Sequence, residues 1–127
     1  MTALGHLVWA IAEGWIPGRS SGPEDMTSHE TACLLNTSDR DATVEITVYF
    51  SDREPAGPYR VPVPARRTRH VRFNDLQHPE PIPLETDYAS VIRSDVPIVV
   101  QHTRLDSRQA ENAVLTTMAF PVPEGRT

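Results

Sequence analysis

Alternation of apolar and polar side chains is plainest in ATVEITVYF, where Val44, Ile46, Val48 and Phe50 share one face and Thr43, Glu45, Thr47 and Tyr49 the other. A period of two residues is that of a half-buried β-strand. The preceding ETACLLN ends in the turn-rich NTSDRD, Asn36 to Asp41, so Glu30–Asn36 and Ala42–Phe50 are expected to pair as an antiparallel hairpin. SDREPAGP, with two prolines and a glycine, reads as a surface loop. Extended chain resumes at Tyr59 in YRVPVP, where Pro62 and Pro64 lack backbone donors; this strand belongs at an edge or carries a bulge. In ARRTRHVRFND, Arg67, Arg69, Val71 and Phe73 alternate with Arg66, Thr68, His70 and Arg72. Val71 and Phe73 mark the core side.

The next stretch, LQHPEPIPLETD, carries Pro79, Pro81 and Pro83 and reads as an extended loop of polyproline character. Beyond it two strands are expected, Tyr88–Arg93 and Pro97–Leu105, separated by the turn SDV. NAVLTTMAF reads as a last strand and PVPEGRT as a loose tail. Two stretches fit more than one pattern. Leu4, Leu7, Val8, Ile11 and Trp15 sit at helical spacing, yet Leu7, Trp9 and Ile11 also alternate; Asp106 with Gln109 resembles a capping box opening a short helix.

Composition narrows the class. A chain of 127 residues with 39% apolar and 23% charged side chains is one soluble domain, and its 12 prolines and 6 glycines leave little room for long helices. An all-β fold follows, with residues 1–120 as the domain and 121–127 as a flexible tail. A net charge of -5 argues against coating nucleic acid, although RRTRHVRF gathers Arg66, Arg67, Arg69 and Arg72 with His70 and Phe73. Alternation splits those arginines between two faces. The single cysteine, Cys33, forms no intramolecular disulfide and reads as a small core hydrophobe, which places the chain in the cytoplasm. The apolar N-terminal stretch lacks a basic n-region and is interrupted by Glu13, so neither a signal peptide nor a membrane span is expected.

Candidate chemistry is sparse. His29, His70 and His102 with Glu30 can be assembled into a metal cluster on paper, but no HxH or HxxxH pair puts two ligands on one element. Glu13, Glu30, Asp106 and Glu111 supply carboxylates at no fixed separation, and nothing resembles a nucleophile elbow. No enzyme, metal or cofactor is expected. Polar crowding is strongest in PIVVQHTRLDSRQAEN, where the face of Ile98 and Val100 turns polar at His102 and Arg104. Long side chains there suit an ion-pair network at a subunit interface or the lining of a polar pocket.

The blocks WAIAEGWIP, GPE, SHETACLLN, VEITVYFSDREPAGPYR, VPARRTRHVRFNDL, TDYASVI and VPIVVQHTRLDSRQAENA resemble the sensory rhodopsin transducer family, from about Trp9 to Met118. The resemblance implies a two-sheet antiparallel β-sandwich, jelly-roll-like, assembled as a homotetramer, with both ambiguous segments as strands. It also implies a cytoplasmic signalling protein that docks on the inner face of a sensory rhodopsin. More distantly it extends to carbohydrate-binding modules, hence to a sugar or small metabolite as ligand, and to regulators that bind DNA.

Polar positions inside these blocks define the expected ligand site: Trp9, Glu13, His29, Glu30, Arg66, Asn74, His102, Arg104 and Asn112. Trp9 offers a stacking face, and the charged and amide groups fix hydroxyl or carboxylate positions. The same groups equally suit an intersubunit hydrogen-bond network.

Overall fold

The computed structural model describes residues 2–20, 27–109, 111 and 113–123. Its strands are β1 (His6–Gly14), β2 (His29–Asn36), β3 (Ala42–Phe50), β4 (Ala56–Val63), β5 (Arg67–Arg72), β6 (Tyr88–Asp106), β7 (Ala113–Met118) and β8 (Phe120–Val122). A 3-10 turn, Phe73–Asp75, follows β5. All pairings between strands are antiparallel.

The 19-residue β6 organises the molecule. Its first half, Tyr88–Ser94, pairs with β1 and β3, giving a leaf ordered β4-β3-β6-β1-β8. Its second half pairs with β2 from Val99 to Leu105 and with β7 from Gln101 to Asp106, giving a second leaf, β5-β2-β6-β7. The two leaves face each other across one core as a β-sandwich. Val44, Ile46, Val48, Tyr59, Val61 and Val63 come from the first; Ala32, Leu34, Val71, Ile98 and Val100 come from β2, β5 and the far half of β6. Burial of this apolar surface is what holds the leaves together.

The expected turn at Ser94–Val96 is not a turn. Asp95 Oδ1 accepts the Thr43 backbone N–H at 2.8 Å, and the strand bends here from one leaf to the other without breaking. Pro97, which has no N–H to give, falls in this bend. Gly5 sits against it with φ +105°, and a Cβ there would lie 1.8 Å from the Ile98 carbonyl oxygen. Only glycine permits that approach.

Nor do Glu30–Asn36 and Ala42–Phe50 form a hairpin. β2 pairs with β5 and β6, and β3 with β4 and β6, so the two strands lie in opposite leaves. Asn36, fully buried, explains the crossing: its Nδ2 donates to the carbonyls of Arg40 (2.8 Å), Val63 (3.1 Å) and Pro64 (3.3 Å), and its Oδ1 accepts from Ser38 N (3.0 Å). These bonds hold the turn to the β4 end instead of folding it back.

Other expectations stand or shift by a few residues. β4, rich in proline, is an edge strand as expected, although it begins at Ala56 inside the anticipated loop. The N-terminal stretch is a strand, not a helix, and Asp106 ends β6 without opening a helix. β8 takes Phe120–Val122 onto β1, so the strand runs two residues into the stretch expected to be a tail. Cys33 points outward with Leu35 on β2, half-buried beside Thr103, while Ala32 and Leu34 fill the core. No helix among the described residues is long and apolar enough to cross a membrane.

Candidate functional site

Strand register brings the polar residues of β2 and β6 together. Glu30 lies opposite Arg104 and Ala32 opposite His102, all facing the interior. An apolar strand that turns polar inside a core must satisfy its charges there. Glu30, fully buried, does so completely: one carboxylate oxygen bonds His102 Nε2, and the other accepts Arg104 Nε at 2.7 Å and the Trp15 backbone N–H at 2.9 Å. The second Arg104 nitrogen, Nη2, binds the carboxylate of Glu13, which stands at the end of β1 in the other leaf. The network is therefore a clamp between leaves. Burial pulls the Arg104 guanidinium down, but the hydrogen bonds it donates to Glu13 and Glu30 outweigh it and hold its pKa above the ordinary value.

A surrounding shell fixes the clamp. Asn74, in the 3-10 turn, accepts the Glu30 backbone N–H through Oδ1 at 3.3 Å and donates Nδ2 to the Ser28 carbonyl at 3.0 Å. Ser28 and Ser107 hydroxyls meet at 3.0 Å, and Ser28 Oγ accepts the Ser107 N–H at 2.8 Å, tying the start of β2 to the end of β6. At the mouth, Arg108 pairs with Asp106 (2.7 Å) and lies over the Trp15 ring, 5.1 Å from its centroid. That hydrogen bond holds the Asp106 carboxyl below the usual carboxylate range. A shallow cleft of about 240 Å³, lined by Asp106, Arg108, Gln109, Glu111 and Ala113, opens at the same end of β6.

Tyr88 closes the inner side. Its ring packs against Phe73 at 5.5 Å and over Gly14, where a Cβ would fall 2.4 Å from a ring carbon. Its hydroxyl is buried and has no hydrogen-bond partner among the described residues, and the same holds for Ser90 Oγ, one pleat along β6. Burial, together with the negative charge of Glu30, pushes the phenol far above its ordinary pKa. A buried hydroxyl with no protein partner is uncommon.

Of the nine residues expected to form a ligand site, Glu13, Glu30, His102 and Arg104 converge and Asn74 supports them. Three do not join. Trp9 is a core residue whose Nε1 donates to the Ile98 carbonyl at 2.9 Å, so its ring stacks on no ligand. His29 is adjacent to Glu30 on a strand, hence on the opposite face, and bonds the Thr27 carbonyl at 2.8 Å. Arg66 pairs with exposed Asp39 at 2.9 Å, at the far end of β2. Asn112 lies outside the described residues. His70 is exposed on β5 and does not approach His102. Trp15, Tyr88 and the Ser28–Ser107 pair are the members that sequence reasoning missed.

A larger surface depression, about 500 Å³, lies elsewhere, lined by Thr43, Glu45, Arg60, Arg93, Ser94 and Asp95. It is an open face crossed by the exposed Arg60–Glu45 pair at 3.1 Å. Buried, convergent and partly unmet polarity favours the Glu30 network over this larger but solvated surface.

Residues 4–121 match the family model described as Anabaena sensory rhodopsin transducer. Among solved structures, the chain is similar to one of the Anabaena sensory rhodopsin transducer, with 64% identity over 81% of this chain and 100% of that one and a TM-score of 0.75. It is also similar to the crystal structure of Thermotoga maritima 1070, with 30% identity over 93% of this chain and 96% of that one and a TM-score of 0.83. No curated protein matches in sequence.

Proposed function

This chain belongs to the sensory rhodopsin transducer family, and we propose that it is a cytoplasmic, non-enzymatic relay that docks on the inner face of a sensory rhodopsin and passes its signal on. The observation that carries this reading is the 64% identity spanning all of the Anabaena transducer structure. Isothermal titration of the purified chain into a sensory rhodopsin from the same genome, held in nanodiscs, tests it. Binding that differs between dark and illuminated receptor is expected; no heat of binding in either state would refute the docking role.

The relay works as a homotetramer. Val114, Leu115, Met118 and Phe120 are 50–67% exposed on β7 and β8, at open edges of both leaves. Exposed apolar side chains on open sheet edges make a pairing surface, which another copy covers in the assembly.

A second reading concerns the Glu30 network, which takes a small polar ligand. Its support is the convergence of Glu30, His102, Arg104 and Glu13 at the end of β6, where Asp106 and Arg108 line a small cleft. Ligand occupancy would then bias the clamp between the leaves, giving the relay a small-molecule input alongside the photoreceptor.

A further inference from the structure

Alternation divides the arginines of RRTRHVRF between two faces, and the edge position of β5 reunites them. β5 pairs with β2 alone. Its other side is open, and Arg67, Thr68, Arg69 and His70 are all exposed, whichever face they take. Arg67 and Arg69 leave on the side of the core, at the seam between the leaves, where Arg69 Nη1 donates to the Pro62 carbonyl of β4 at 2.7 Å. His70 and half-buried Arg72 leave on the outer face, opposite Cys33 and Thr31 of β2. A surface lying along the strand edge therefore meets both sets.

The strip is of one sign. Among the described residues, Arg67, Arg69 and Arg72 pair with no carboxylate, and Arg66, in the turn that leads into β5, pairs with Asp39 at 2.9 Å. The rows of the outer face that start at Thr68, His70 and Arg72 run on across β2, β6 and β7 without meeting an Asp or Glu. In a chain where 17 acidic residues outnumber 12 basic ones, that is an uneven distribution. Charges guard open edges against stray pairing, but either sign serves that purpose. A single sign selects a partner of the opposite sign.

Resting on the reading of the chain as a relay at the inner face of a membrane receptor, we propose that the β5 edge seats on the anionic lipid surface around that receptor, its arginines against the headgroup phosphates. The cytoplasmic leaflet carries negative charge, so a chain of net charge -5 is repelled from it in most orientations. Presenting β5 puts unpaired arginines against the phosphates and turns the bulk of the carboxylates away. The seat thereby fixes how the relay stands beside the receptor. β7, at the opposite edge of the same leaf, stays available for subunit contact.

Flotation with vesicles of phosphatidylcholine, alone or with about one-third phosphatidylglycerol, tests this without any receptor. The chain should float with the anionic vesicles, release as salt rises, and ignore the neutral ones. Arg67→Gln, Arg69→Gln and Arg72→Gln together should weaken vesicle binding about a hundredfold, whereas the three matching Lys substitutions should keep it, because the attraction follows charge. Arg53→Gln, Arg60→Gln and Arg93→Gln remove the same charge from the other leaf and its loop. At about 0.1 M salt, where charges beyond about 10 Å are screened, they should change binding by less than about threefold. An equal loss in that control, a Lys variant as weak as the Gln variant, or a wild-type chain that does not float would each overturn the seat. Binding to a duplex oligonucleotide without flotation would overturn it too, assigning the arginines to nucleic acid. A failed rhodopsin titration leaves a positive vesicle result standing, and failed flotation beside intact receptor binding strikes the lipid seat alone.

Discussion

Arg104→Met removes the one side-chain cation among the described residues that is fixed, whatever the pH, next to the fully buried carboxylate of Glu30. Glu30 keeps the Trp15 N–H and His102, but loses the Nε–H bond at 2.7 Å and the positive charge that balances it. Removing one partner of a buried pair costs about 3–5 kcal/mol. Arg104 retains 21% exposure of its side chain, so the lower end, about 3 kcal/mol, applies; for a chain of this length that is a fall of about 12 °C in melting temperature. Glu30→Gln removes the charge but keeps an acceptor for Trp15, and should cost about 2 kcal/mol. The double variant buries no unpaired carboxylate, so it should cost about 3 kcal/mol rather than the sum, a coupling of about 2 kcal/mol. Urea unfolding at one protein concentration, followed by tryptophan fluorescence, gives all four corners of the cycle. Additivity within about 0.5 kcal/mol, or a loss below about 1 kcal/mol for Arg104→Met, would show that Arg104 does not carry the Glu30 charge.

Three further expectations follow from separate features. Gly5→Ala should destabilise by at least about 3 kcal/mol in the same urea assay, since it combines a positive φ with a Cβ placed on the Ile98 carbonyl; an unchanged midpoint would mean β1 does not need that close approach. The folded chain holds the Tyr88 proton where the unfolded chain releases it, so this contribution to stability is complete below the ordinary phenol pKa of about 10 and is lost as pH rises above it, at up to about 1.4 kcal/mol per pH unit. Tyr88→Phe should flatten that alkaline decline; parallel wild-type and variant curves between pH 10 and 11 would refute the burial argument. Leu115→Glu with Phe120→Glu should break the proposed tetramer into smaller species by light scattering after gel filtration, and an unaltered mass would place the subunit contact elsewhere.

Side-chain parity was legible along the central strands, though not in the N-terminal stretch, which also fits helical spacing, nor at Cys33, read as core but facing outward. It put Val44, Ile46 and Val48 inside, and it ran Ile98, Val100, His102 and Arg104 along one face, as the core and the clamp both require. Parity assigns a face but not a partner, which is why the Asn36 turn read as a hairpin when its amide ties it to the carbonyls of Val63 and Pro64. The same rule, applied strictly, separates His29 from Glu30 without any coordinates. Ser94–Val96 read as a break because bends that switch leaves use turn residues too. Trp9 read as a site residue because an indole suits both a core and a stacking platform; the Ile98 carbonyl decided for the core. Tyr88 gave the opposite error: it looks like any core aromatic, and only the surroundings of its hydroxyl reveal the orphan.

The single strand shared by both leaves also sets when the protein can exist at all. Before Tyr88 is synthesised, the chain holds five strands, of which β3 can pair with β4 and β2 with β5; the remaining edges of β1, β2 and β3 all await β6. Neither leaf closes while that segment is still inside the ribosome, so the nascent chain should have at most the β3–β4 hairpin, nested inside a β2–β5 pairing, to form. A chain ended at Asp87 should accordingly unfold without a cooperative transition. Birth of the fold thus waits on the emergence of β6, and slow codons or chaperone contacts before that point would act on a molecule that has no core yet to protect.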